Sequence, residues 1–149
     1  MQARALGAAI LMAVALTPVD LRAQVTSKPD PERAAVQQVI VQLGERLQAG
    51  DLTGAEALMR PRLHILTDNA TLHSWVEYRD KYVVPDLSRL KGGYAHTAVE
   101  ATVRGDLSYV VFRRVFGKEG SPSMKEGRGT AVLEKVDGKW AIVQLQMAE

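Results

Sequence analysis

Between Tyr94 and Met147 the chain alternates apolar and polar residues in four segments, and that stretch limits the possible folds more than any other feature. The segments run from Tyr94 to Arg104, Leu107 to Phe116, Gly127 to Val136 and Trp140 to Met147. Such alternation is the mark of half-buried strands. Gly105-Asp106 and a longer stretch from Gly117 to Glu126 separate the first three. Asp137-Gly138 lies between the last two and is a type I′ hairpin signal, because both central residues of that turn need positive φ. A meander of this kind has one apolar face that the rest of the chain must cover.

The cover precedes it. Asp30-Pro31-Glu32 is a helix start, with Asp as N-cap, Pro at the first helical position and an acid in the first turn. Val36, Val39, Ile40, Leu43 and Leu47 then recur at helical spacing opposite a glutamine-rich polar face. Gly50 suits the C′ position, and Asp51 caps a short second helix through Ala57, Leu58 and Met59, stopped by Pro61. Arg62 to Thr67 and Ala70 to His73 read as brief strands around an Asp68-Asn69 turn. Ser74-x-x-Glu77 is a capping box opening a third helix to about Val84, on which Trp75, Tyr78 and Tyr82 share a face. Pro85 breaks that helix, and Asp86 can restart a turn carrying Leu87 and Leu90.

The first residues read as an address. Arg4 is positive, Ala5 to Leu16 is an uncharged apolar run, and Leu21-Arg22-Ala23 places a small residue before a cut. The run is shorter than the ~20 residues that cross a membrane. Residues 1–23 are therefore expected to be a cleaved signal peptide, 24–31 a flexible lead-in and 32–149 one domain of a periplasmic or secreted protein. The 149 residues contain no cysteine, which excludes a thiol nucleophile, a disulfide scaffold and cysteine-ligated metal. A net charge of +2, without a basic stripe, does not favour nucleic acid. There is no Gly-rich phosphate loop and no Gly-x-Ser-x-Gly elbow.

Three stretches in this order resemble the nuclear transport factor 2-like superfamily, within it the SnoaL-like group. They are Leu47-Gln-Ala-Gly-Asp51, the block Ser74 to Leu87 (SWVEYRDKYVVPDL), and Gly127 to Gln146 with its closing Asp137-Gly-Lys-Trp140 hairpin. The resemblance implies an α+β cone, a curved antiparallel sheet wrapped around N-terminal helices, with a pocket at its open end. It also implies relatives with histidine near the end of the third helix and in the last strand; here Tyr82, Gln144 and Gln146 stand there, so no metal site is expected. No cofactor is implied, and sheet-face homodimers are common in the group.

Each candidate for chemistry has a plainer rival. Enzymes of this superfamily use a carboxylate or His base in an apolar cone. Asp86 could be such an acid or simply cap the following turn; His64 is the other weak catalytic candidate. His73 and His96 have no partner at metal-ligand spacing. His96 shares the parity of Ala98, Glu100 and Thr102, and Glu100 reads as solvent-facing or at a subunit contact. Trp75, Tyr78 and Tyr82 are either core with hydroxyls at the rim or the wall of a pocket. Gln144 and Gln146, read on the face of Trp140 and Ile142, would orient a neutral ligand without transferring protons. Arg113-Arg114 sends one guanidinium to each face, and an inward one would favour an anion. The expected function is binding of a small apolar or weakly polar molecule. The alternatives are an acid–base isomerase, dehydratase or cyclase, or a structural dimerisation domain.

Overall fold

The computed structural model describes residues 30–118 and 120–148. The signal peptide expected over 1–23 lies outside them. Helix α1 spans Pro31–Ala49 and is capped as its sequence dictates: the Asp30 carboxylate accepts from the amides of Glu32 and Arg33, and Gly50 follows with φ +73°. Its buried stripe is Val36, Ile40, Leu43 and Leu47, none more than 2% exposed, each contributing roughly 1.5–3 kcal/mol by burial. Glu32 pins the start of α1 to the last hairpin, accepting from Lys135 Nζ at 2.7 Å and from Trp140 Nε1 at 2.9 Å.

Helix α2 is only Leu52–Glu56, with Asp51 Oδ1 accepting from the Gly54 amide at 2.8 Å. It stops before Pro61, which lies inside the first strand, β1 (Met59–Leu66). The β1 pairing is irregular between Met59 and His64, so the missing N–H of Pro61 costs no regular ladder bond. Strand β2 is Thr71–Leu72. The capping box forms as read: the Glu77 amide donates to Ser74 Oγ at 3.2 Å and Glu77 Oε2 accepts from the His73 amide at 2.9 Å. Helix α3 (Trp75–Tyr78) then widens into a π-helical turn over Arg79–Val83, closed by the Val84 amide on the Arg79 carbonyl at 2.8 Å. Helix α4 is Leu87–Lys91.

Strands β3 (Tyr94–Arg104), β4 (Leu107–Phe116), β5 (Lys125–Val136) and β6 (Lys139–Ala148) form the meander. Asp137 and Gly138 both have positive φ, at 52° and 75°, as the hairpin turn requires. The sheet order is β2-β1-β6-β5-β4-β3, antiparallel throughout except for the parallel β1·β6 pair. A curved, mostly antiparallel sheet thus encloses α1, giving the α+β cone.

Two β-bulges decide which side chains enter that cone. On β3, Ala98 and Val99 stand opposite Phe112 alone, between the Thr97–Arg113 and Glu100–Val111 pairs, and Ala98 takes φ +47°. Gln37 Nε2 donates to the Val99 carbonyl of this bulge at 2.6 Å. On β6, Val143 is the extra residue between the Val132–Gln144 and Leu133–Ile142 pairs. A bulge of this type shifts the inward set by one position. Hence Tyr94 and His96 face inward before the β3 bulge and Ala101 after it, while Ile142 faces inward before the β6 bulge and Leu145 and Met147 after it. Glu100 is consequently exposed, on the other face from His96.

Candidate functional site

Inside the cone, at the Leu47 end of the α1 stripe, lies a cavity of about 240 Å³. The third-helix region supplies Tyr78, Tyr82 and Val83, and the following turn and α4 supply Asp86, Arg89 and Leu90. Tyr94, Arg114, Phe116 and Met147 come from the sheet, Leu47 from α1, and Thr67, Asp68 and Asn69 from the β1–β2 turn. A second concavity, about 640 Å³, lies outside the cone between α1 and the β5–β6 hairpin, with Arg60 and Trp140 on its walls.

The aromatic stripe expected on the third helix forms, and its members do different things. Trp75, 4% exposed, packs 6.0 Å from Tyr78 in the core and does not line the cavity. Tyr78 stacks on Tyr82 with centroids 5.6 Å apart, and both line the cavity. Tyr82 Oη lies 3.3 Å from Thr67 Oγ1. Tyr78 is 6% exposed, and its hydroxyl has no hydrogen-bond partner among the described residues. Burial pushes its pKa up, so it stays a neutral phenol.

Arg114 is the inward member of the arginine pair. It is 8% exposed, whereas Arg113 is exposed and 3.6 Å from Glu126. Strand β4 is regular, so Arg114 shares the parity of Val110, Phe112 and Phe116, and that parity alone could have assigned it. Arg114 Nε donates to Tyr94 Oη at 3.3 Å and Nη1 to the Ala148 carbonyl at 3.3 Å. Its guanidinium carbon is 5.0 Å from the Phe116 ring centroid, with that of Arg89 4.4 Å from the same ring.

Behind Arg114 a hydrogen-bonded chain runs to the helix. Tyr94 Oη is 2.8 Å from His96 Nε2, and His96 Nδ1 is 2.9 Å from the Ile40 carbonyl. A carbonyl only accepts, so Nδ1 carries the proton and Nε2 accepts from Tyr94. Burial is the main cause holding His96 down at about pKa 4, so the ring is neutral. Gly44 makes the approach possible: a Cβ there would sit 2.8 Å from the His96 amide nitrogen. Tyr94 and His96 were missed as a site because only their contacts across the cone, not their local sequence, join them to Arg114.

The remaining candidates separate. Asp86 lines the cavity; it occupies the N-cap position of α4 but makes no side-chain cap bond, and its carboxylate instead takes Arg89. His64 is exposed on β1, its ring edge-on to His73 at 5.3 Å, away from the cavity. Gln144 and Gln146 are exposed on the outer face and do not line the cavity; the Val143 bulge removes them from the face of Trp140 and Ile142. Among the described residues no three His, Cys, Asp or Glu side chains gather in a metal-binding group.

Residues 36–147 match the family described as SnoaL-like domain. No curated protein matches the chain. Among solved structures it is similar to a nuclear transport factor 2-like protein of unknown function from Shewanella oneidensis, with 20% identity over 80% of this chain and 100% of that one and a TM-score of 0.61. A putative ketosteroid isomerase from Shewanella frigidimarina has 23% identity over 76% of this chain and 94% of that one, with a TM-score of 0.65. A nuclear transport factor 2-like protein of unknown function from Pseudomonas putida, at 13% identity, covers 79% of this chain and 86% of its own, with a TM-score of 0.67. At these identities the likeness is one of fold.

Proposed function

The chain belongs to the SnoaL-like domain family, and on that premise we propose that it is an exported domain binding a small molecule in the cavity of its cone. One observation carries this reading: Tyr78 is almost fully buried, lines the cavity, and holds a hydroxyl that no described residue satisfies. The hydroxyl opens onto the cavity rather than being sealed in the core, so a ligand acceptor or donor can reach it. The volume of about 240 Å³ is below the roughly 300–1,000 Å³ of clefts for drug-sized ligands, which favours a one-ring molecule over a fused-ring skeleton. Export to the periplasm or medium rests on the leader of residues 1–23, and a homodimer would use the outer sheet face, where Tyr109 is exposed.

The acid–base alternative has one observation in its favour, the placement of Asp86 on the cavity wall, and one structural neighbour named a putative ketosteroid isomerase. Against it, the Asp86 carboxylate is engaged by Arg89, and the buried base His96 has both nitrogens committed, to Ile40 and Tyr94. Native mass spectrometry of the protein purified without denaturation tests the reading. A reproducible extra mass, lost in Tyr78→Phe, is expected; a bare protein that acquires no mass from a small-molecule library would overturn it. The same spectra report leader cleavage and the oligomeric state.

A further inference from the structure

We propose that the ligand carries a carboxylate and that Arg114 receives it. This rests on the small-molecule reading above and specifies the chemical class that the cavity accepts. Arg114 is a buried residue whose charged end borders the cavity, and charges taken from bulk water in this way are ordinarily paired. Arg114 is not paired: among the described residues its hydrogen bonds go only to a phenol oxygen and a backbone carbonyl, both at 3.3 Å, and Nη2 makes none. Two neutral acceptors and the Phe116 face leave the positive charge uncompensated.

Asp86 on the cavity wall is held by Arg89 and does not supply the missing anion. The cation is also held in place before any ligand arrives. Ile40, His96 and Tyr94 form a fixed line of hydrogen bonds from α1 to Arg114 Nε, so the guanidinium loses little freedom on binding. Beside it, Tyr78, Phe116, Leu90 and Met147 offer an apolar wall with one free phenol. A compact carboxylate with one ring or a short branched chain matches that combination: its charge meets Arg114, its body lies on the aromatic rings.

Titration calorimetry on the purified protein with benzoate, phenylacetate and hexanoate, each beside its neutral amide, tests this without any mutation. At least one carboxylate is expected to bind about tenfold or more tightly than its amide, the margin of one charge-assisted hydrogen bond. Arg114→Met should reduce that margin to within about twofold and Arg114→Lys should restore part of it, with Arg113→Met unchanged. Acids and amides binding equally would overturn the anion assignment while leaving the small-molecule reading standing. A preference that persists in Arg114→Met would overturn the role of Arg114. No binding of any probe would count against both. Should Arg114→Met fail to fold, the acid-to-amide ratio of the unmodified protein still decides.

Discussion

The two ends of the cone are enclosed by the same sheet but built from different chemistry. At one end α1 presses Val36, Ile40 and Leu43 against the strands, and the interior is aliphatic and filled. At the other, the short helices after Pro61 meet the sheet through Tyr78, Tyr94 and Arg114, and space is left. A 19-residue helix can supply a continuous stripe that fills a concave surface; a four-residue helix and a π-helical turn cannot. Long, regular elements make a core, whereas broken ones make a cavity lined by side chains long enough to reach across it.

The contrast can be broken most strongly at the filled end. Leu43→Ala leaves a hole that α1 cannot close and is expected to cost about 2–5 kcal/mol in urea unfolding. A loss below 1 kcal/mol would mean that this end is no better packed than the other.

His96 joins the two ends and makes the next largest effect, this time through pH. Its folded pKa is held at about 4 against 6.5 for an ordinary histidine, mainly by burial. Below pH ~6.5 the unfolded chain therefore takes up a proton that the folded one refuses. The stability this group contributes is complete above that pH, declines as pH falls, and levels off below about 4. The decline is at most about 3 kcal/mol, from the 1.36 kcal/mol per pKa unit. Unfolding curves between pH 7.5 and 4 should show it, and His96→Gln should flatten the slope; an equal slope in the variant would place the titration elsewhere.

Tyr78→Phe sharpens the contrast from the cavity side. Removing a hydroxyl that no described residue satisfies should change stability by less than about 1 kcal/mol while weakening ligand retention. A larger loss of stability would show that the hydroxyl is part of the core. Smallest of all, the double change Gln144→Leu, Gln146→Leu lies on neither end. It is expected to leave ligand selectivity unchanged and stability within about ±0.5 kcal/mol per site; altered selectivity would move the site to the outer face.

Much of this architecture can be read along the chain because it depends on neighbours in sequence. Asp30, Asp51 and Ser74 cap helices by accepting from amides two or three residues away, and Gly50 ends α1 by donating its own amide to the Leu47 carbonyl. Asp137-Gly138 turns because of its own φ angles, and the α1 stripe follows from a period of 3.6. Those local preferences determined the order of the elements, the α+β cone and the aromatic stripe at Trp75, Tyr78 and Tyr82. The tertiary structure alone decided which faces of β3 and β6 look inward. The strand period is two, so one inserted residue reverses every later side chain, and whether it is inserted depends on the partner strand's register. For that reason Gln144 and Gln146 went to the outside, Tyr94 and His96 to the inside, and the cavity took its polar character from Arg114 on β4, a strand without a bulge.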